Sequence, residues 1–152
     1  MFPSIDTTFQ VANTVALAGW LVLLASPPSV RWADAARRFA GMWLPSLLAA
    51  LYVALVVVHW GGDGGFGSLA AVRTLFDRPG LLLAGWVHYL AFDLFVGGWV
   101  ARRGAELGMA HWQLVPVLAL TFVFGPAGWL AFVALGALRH TAVFPPASGA
   151  PS

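Results

Sequence analysis

The chain contains four apolar stretches that are long enough, or nearly so, to cross the roughly 30 Å hydrocarbon core of a bilayer. They fall at about Phe9–Ala25, Phe39–Trp60, Leu81–Ala101 and Trp112–Leu138, and the first, the shortest, extends back through Ile5. Lipid offers backbone N–H and C=O groups no partner, so such stretches must pair internally as helices. The expected fold is therefore all-α: a polytopic membrane protein with four transmembrane helices in a bundle. It forms a single domain over residues 1–140, with a disordered tail over 141–152. Composition agrees, because only 9% of residues are charged and 60% are hydrophobic, whereas a soluble domain carries about 25% charge.

Polar connections separate the spans. Ser26 to Arg38 carries the turn pair Pro27-Pro28, Gly61 to Pro79 begins with a Gly-rich run, and Arg102 to His111 is short. Within the second connection Phe66, Leu69, Val72, Leu75 and Phe76 recur at near-helical spacing behind Ser68, a candidate cap. This predicts a short amphipathic helix lying in the membrane interface. The run Gly61-Gly62-Asp63-Gly64-Gly65 lacks the Gly-Lys-Ser/Thr context of a phosphate loop and reads as a linker. Trp43, Trp60, Trp99 and Trp112 fall near span ends, where aromatic belts sit.

All eight basic residues are Arg. With so much Ala, Gly, Leu and Val, this bias points to a bacterial inner membrane, and no transit peptide or cleavable signal precedes the first span. Five Arg residues (Arg31, Arg37, Arg38, Arg102 and Arg103) flank one side and three (Arg73, Arg78 and Arg139) the other. The excess marks the cytoplasmic face, so both termini are expected outside. The basic residues form no patch or tail, which leaves nucleic-acid binding without support. Cysteine is absent, excluding disulfides, thiolate nucleophiles and thiolate metal sites.

Chemistry has few places to reside. His88, Tyr89 and Asp93 lie inside the third span, where ionisable groups are costly and usually serve a function. At 100° per residue, Gly85, His88, Tyr89, Phe92, Asp93, Val96 and Gly97 share one half of the helix. Val87, Leu90, Ala91, Leu94, Phe95 and Gly98 occupy the other half, which is expected to face lipid. Possible partners are Gln10, Asn13 and Thr14 in the first span, and Tyr52 and His59 in the second. In the fourth span, Pro126 within Gly125-Pro126-Ala127-Gly128 predicts a kink that frees the carbonyl of Phe122. At 1.5 Å per residue, Asn13, Tyr52 and His88 lie about 6 to 12 Å deep, Asp93 about 18 Å and His59 about 2 Å. A pocket entered from the external leaflet, with Asp93 at its floor, accommodates this set. Much of it serves equally as hydrogen-bonding glue between helices. A metal site built from His59, His88 and Asp93 conflicts with the depth difference, and no HxxxH, HxxH or ExxH spacing occurs.

The segment His88-Tyr89-Leu90-Ala91-Phe92-Asp93-Leu94-Phe95-Val96-Gly97 resembles the hallmark of the abscisic-acid-deficient-four, or neoxanthin-synthesis, family of plant membrane proteins and their bacterial relatives. Val11 to Leu17, Phe124 to Gly128, and Leu75-Phe76 followed by Pro79 and Leu81-Leu82 look similar to further family stretches. The resemblance spans about Phe9 to Leu138. It implies a four-helix membrane protein acting on a carotenoid or related apolar isoprenoid. The plant reaction opens an epoxide and removes a neighbouring proton, a redox-neutral isomerisation that requires an acid and a base. The resemblance thus casts His88, Tyr89 and Asp93 as catalytic. Protonated Asp93 or Tyr89 would donate to oxygen, and His88 would accept the carbon-bound proton. Asn13, Tyr52, His59, Trp86, Phe92 and Pro126 would bind substrate, and the aromatic set Trp86, Phe92, Phe95 and Trp129 suits a polyene. No cofactor is expected.

The alternatives are oxidative carotenoid cleavage toward retinal, which would call for iron, and a non-catalytic pigment-binding scaffold. A small transporter is disfavoured by the lack of an internal repeat. Expected partners are the pigment, the lipid bilayer, and either a second copy of the chain or other carotenoid enzymes.

Overall fold

The computed structural model describes residues 4–27 and 29–139. The expected disordered tail and His140 lie outside these residues. The described chain is helical: α1 (Ile5–Leu24), α2 (Ala33–Arg38), a π-helical turn (Phe39–Trp43), α3 (Leu44–His59), α4 (Leu69–Phe76), α5 (Pro79–Glu106), α6 (His111–Phe124) and α7 (Pro126–Leu138), with no strand among the described residues. Three helical units are long and apolar enough to cross a membrane: Ile5–Leu24, Ala33–His59 and Pro79–Glu106.

Ser4 caps α1 by accepting from the Thr7 amide, so the first span does reach back to Ile5. Ser68 does the same for α4 through the Ala71 amide, 3.1 Å away, and the expected amphipathic helix forms there.

The 28-residue α5 is the axis of the molecule and touches every other helix. α1 lies parallel to it: Phe9 meets Trp86 with ring centroids 5.9 Å apart, and Trp20 packs on Gly97 further along. α3 runs antiparallel, with His59 on Gly80 and Tyr52 beside His88. At their crossing the backbones of Gly41 and Gly98 touch, leaving no room for a β-carbon on either. Small residues permit such contact, and in lipid it is close packing that holds helices together.

The fourth apolar stretch is not one continuous helix, and neither of its two helices is long enough to span a membrane alone. Gly125 adopts φ 41°, ψ −92° and ends α6, and Pro126 starts α7 as its first residue. The chain then folds back on itself. Arg139 donates to Gln113 Oε1 at 2.6 Å, although a continuous helix would hold residues so spaced about 39 Å apart. Across the turn Gly128 packs on the backbone of Thr121. The base of this hairpin lies at the far end of α1, where His111 Nε2 is 2.7 Å from the Leu24 carbonyl. Its length, 14 and 13 residues, brings the tip to the middle of α5, roughly 20 Å in. α1 and α5 bury one side of this hairpin.

Two expectations change as a result. Arg139 lies at the opposite end of the bundle from Ser4, so the ends of the described chain do not share a side. The lipid face of the third span is also only partly as expected: Phe95 is exposed and Asp93 and Gly97 are buried, in line with it, but the other residues of the expected lipid face turn inward. Val87, Leu90, Ala91 and Leu94 are buried, whereas Trp86 and Phe92 are exposed at 40% and 60%, and His88 is exposed as well. Helices in lipid are not sorted by hydrophobicity, since the surroundings are as apolar as the core; Val87, Leu94 and Gly98 go inward because they pack closely.

Candidate functional site

The hairpin covers only one half of α5. Asp93 lies on the same face as Leu82, Trp86 and Tyr89, but it alone of the four is buried, at 8% exposure. What covers it is the hairpin tip: a β-carbon on Gly125 would lie 3.0 Å from Asp93 Cγ. The Asp93 carboxyl therefore sits at the start of α7, where unpaired amides and the helix dipole favour a negative group. One of its oxygens, Oδ2, is buried without a hydrogen-bond partner.

One turn above Asp93 is Tyr89, which donates from its hydroxyl to the Val123 carbonyl at 3.1 Å. That carbonyl is free because α6 ends at Phe124; a helix leaves its last carbonyls unpaired. The break at Gly125-Pro126 thus exposes an acceptor two residues before the turn, at Val123 rather than at Phe122. Pro126 itself contributes by starting α7 next to Asp93.

Above the tip the same face of α5 is open to the membrane. A cleft of about 490 Å³ lies there, lined by Phe76, Leu82, Gly85, Trp86 and Tyr89. Trp86 stands beside Tyr89 with ring centroids 5.5 Å apart, and its Nε1 donates to Asn13 Oδ1 at 3.2 Å. Asn13 is itself fixed by donating to the Phe9 carbonyl. The cleft thus has aromatic walls and a polar floor at mid-membrane, formed by Tyr89 with Asp93 behind it.

His88 belongs elsewhere. It projects toward α3, meeting Tyr52 edge-on at 5.3 Å and stacking on Phe92 at 4.6 Å. It lines a second chamber of about 300 Å³ with Tyr52, Trp60 and Phe66. Phe76 and Gly85 border both spaces, so the Phe76 ring, seated on Gly85, is the wall between them. The expected triad is therefore split: Tyr89 and Asp93 come together, and His88 points away from them. The cause is angular, because five residues turn a helix by about 140° from His88 to Asp93.

His59 also stays apart. Its ring packs on Gly80, its carbonyl accepts from Arg78, and it borders a separate cavity of about 170 Å³ with Ile5 and Leu51. Phe92 and Phe95 face outward beside Pro45 and Ala49. Gln10 and Thr14 are exposed, and Thr14 only bonds back to the Gln10 carbonyl. Of the residues expected to bind substrate, Trp86 lines the Tyr89 cleft, and Asn13 accepts from Trp86. The sequence reading missed Val123 and Phe76; the Gly-Pro pair was the available signal for the turn that places Val123.

Fold and site together define a multi-span helical membrane protein with an open aromatic cleft that ends on a phenol, with a buried carboxyl behind it. The family model described as ABA DEFICIENT 4-like matches residues 7–132. The chain belongs to that ABA4-like family, which links it in broad terms to the carotenoid- and neoxanthin-related membrane proteins. No curated protein and no solved structure matches it.

Proposed function

We propose that the chain is a membrane-embedded carotenoid isomerase, in which an end ring enters the Tyr89 cleft from the bilayer. The observation carrying this reading is Tyr89 at the floor of an open aromatic cleft, with the buried Asp93 carboxyl one helical turn behind it. An apolar polyene would remain in the acyl region, with Trp86 and Phe76 beside it, while an oxygen on its ring reaches the one polar spot.

The chemistry needs only an acid and a base. Tyr89 gives its proton to the ring oxygen as a C–O bond breaks. The resulting Tyr89 phenolate takes a proton from a neighbouring carbon, and that electron pair becomes the new double bond, while the Asp93 carboxyl behind it sets the acidity of the phenol. Tyr89 thereby recovers its proton, so atoms and electrons balance without an external reductant. His88 has no part in this scheme, since it faces the other chamber.

Oxidative cleavage would need a set of iron ligands. Among the described residues no three His, Asp or Glu side chains converge to hold a metal ion, so the donor set does not fit. The proposed topology has three crossings plus the re-entrant hairpin. With Arg139 at the loop end, that end holds six of the eight Arg residues, which supports a cytoplasmic side there and Ser4 outside.

The test is to express the wild type, Tyr89→Phe, Asp93→Asn and His88→Phe in bacteria making β-carotene, zeaxanthin or violaxanthin, and to analyse pigments by chromatography and mass spectrometry. The expected result is a product of unchanged mass that falls about 100-fold or more in Tyr89→Phe and Asp93→Asn, the usual scale of a lost acid or base. A shortened aldehyde would refute isomerisation in favour of cleavage. Unchanged pigment bound to purified protein would make the chain a scaffold.

A further inference from the structure

We propose that the cavity at the loop end of the bundle, between α2 and the end of α5, binds a phosphate group, that of an anionic phospholipid in the adjoining leaflet. The cavity measures about 570 Å³ and is lined by Asp34, Arg37, Arg38, Arg102, Ala105 and Glu106. Its two carboxylates are engaged: Asp34 pairs with Arg37, and Glu106 with Arg103 at 2.9 Å. Arg38 and Arg102 have no ion pair or hydrogen bond among the described residues. Two guanidinium groups are therefore uncompensated at one opening.

A second observation points to a ligand. Arg37 is 3% exposed and donates to the Ser26 carbonyl at 2.7 Å, yet its Nε is buried with no acceptor. A buried donor left unpaired is costly, and a negative group in the adjoining cavity would offset that cost. The planar guanidinium fork matches phosphate oxygens, and three such residues line this cavity.

The depth of the cavity argues for a lipid as the source. Trp32, Phe39 and Trp43 are 54%, 53% and 67% exposed around the same end, and exposed aromatic rings collect at headgroup level. Basic pockets at that level hold acidic headgroups, each Arg contributing about fivefold in affinity.

The test uses the full chain, reconstituted in mixed phosphatidylcholine and phosphatidylglycerol, extracted in mild detergent and weighed by native mass spectrometry. Phosphatidylglycerol should be retained in preference, and R38Q/R102Q should lose about 10- to 30-fold of that retention. Arg73→Gln, at the other end, should lose none. Equal retention by R38Q/R102Q and wild type would overturn the proposal, as would an equal loss in Arg73→Gln. If R38Q/R102Q fails to fold, Arg38→Gln alone, at an exposed position, should lose about fivefold, and no loss there would overturn it. Inorganic phosphate titrated into lipid-free protein is the second arm. Its binding without lipid retention would uphold the phosphate site and overturn the lipid source.

Discussion

At the scale of single residues, Tyr89 and Gly125 do most to make the site what it is. Tyr89 bonds the Val123 carbonyl and adjoins Asp93. Tyr89→Phe removes a single hydrogen bond, so it should lower stability by only about 1 kcal/mol while abolishing most turnover. Thermal unfolding in detergent, read beside the pigment assay, would separate the two effects. Gly125 holds a positive φ and abuts the Asp93 carboxyl. Gly125→Ala should therefore cost about 1 to 3 kcal/mol from the backbone alone, seen as a lowered melting temperature, and more if Asp93 is displaced. His88→Phe keeps the stack on Phe92 and removes no acid or base from the cleft. Product formation should stay within about twofold of wild type, and a 100-fold loss would restore His88 to the reaction.

At the scale of elements, the hairpin of α6 and α7 decides where chemistry can occur. By stopping halfway along α5 it buries Asp93 and leaves Tyr89 and Trp86 open to lipid. Because the chain has no cysteine, single cysteines can map it. Those replacing Ala110 and Arg139 should label from one side of the membrane, and that replacing Gly65 from the other. Labelling of the Arg139 position together with the Gly65 position would mean that the fourth stretch crosses after all. The crossing of α5 with the π-turn is similarly exact. Gly98→Leu would drive a side chain into the Gly41 backbone, and overpacking of this kind costs about 1 to 3 kcal/mol or more. A fall in folded yield, with α5 otherwise intact, is the expected reading.

At the scale of the whole molecule, the ends of the bundle differ. The end bearing Ser26 to Arg38, Glu106 to Ala110 and Arg139 carries most of the Arg residues, and the other keeps Arg73 and Arg78. An impermeant thiol reagent applied to intact cells should therefore reach a cysteine at Gly65 and miss those at Ala110 and Arg139, as the positive-inside rule requires. The two functional candidates lie on opposite sides of the bilayer centre, the Tyr89 cleft toward the Ser4 end and the arginine cavity at the other. Changes at one should leave the other unaltered, which additivity over long separation supports.

From the amino-acid sequence alone, the membrane character, three helices long enough to cross, the short capped helix α4 and the placing of Tyr89 and Asp93 on one helix face were all legible. Each rests on a local signal: a run of apolar residues, a Ser cap, or an ionisable group where none is cheap. The direction in which each helix face points was not legible, because in lipid Val87 and Phe92 are equally acceptable outside and only fit against neighbours separates them. Nor was the fate of the fourth stretch. Gly125-Pro126 permits both a kink and a reversal, and the contacts that select the reversal join residues far apart in the chain, Gln113 with Arg139 and Trp99 with Phe132. Only the tertiary structure brought the hairpin tip onto Asp93, freed the Val123 carbonyl for Tyr89, and turned His88 toward the other chamber.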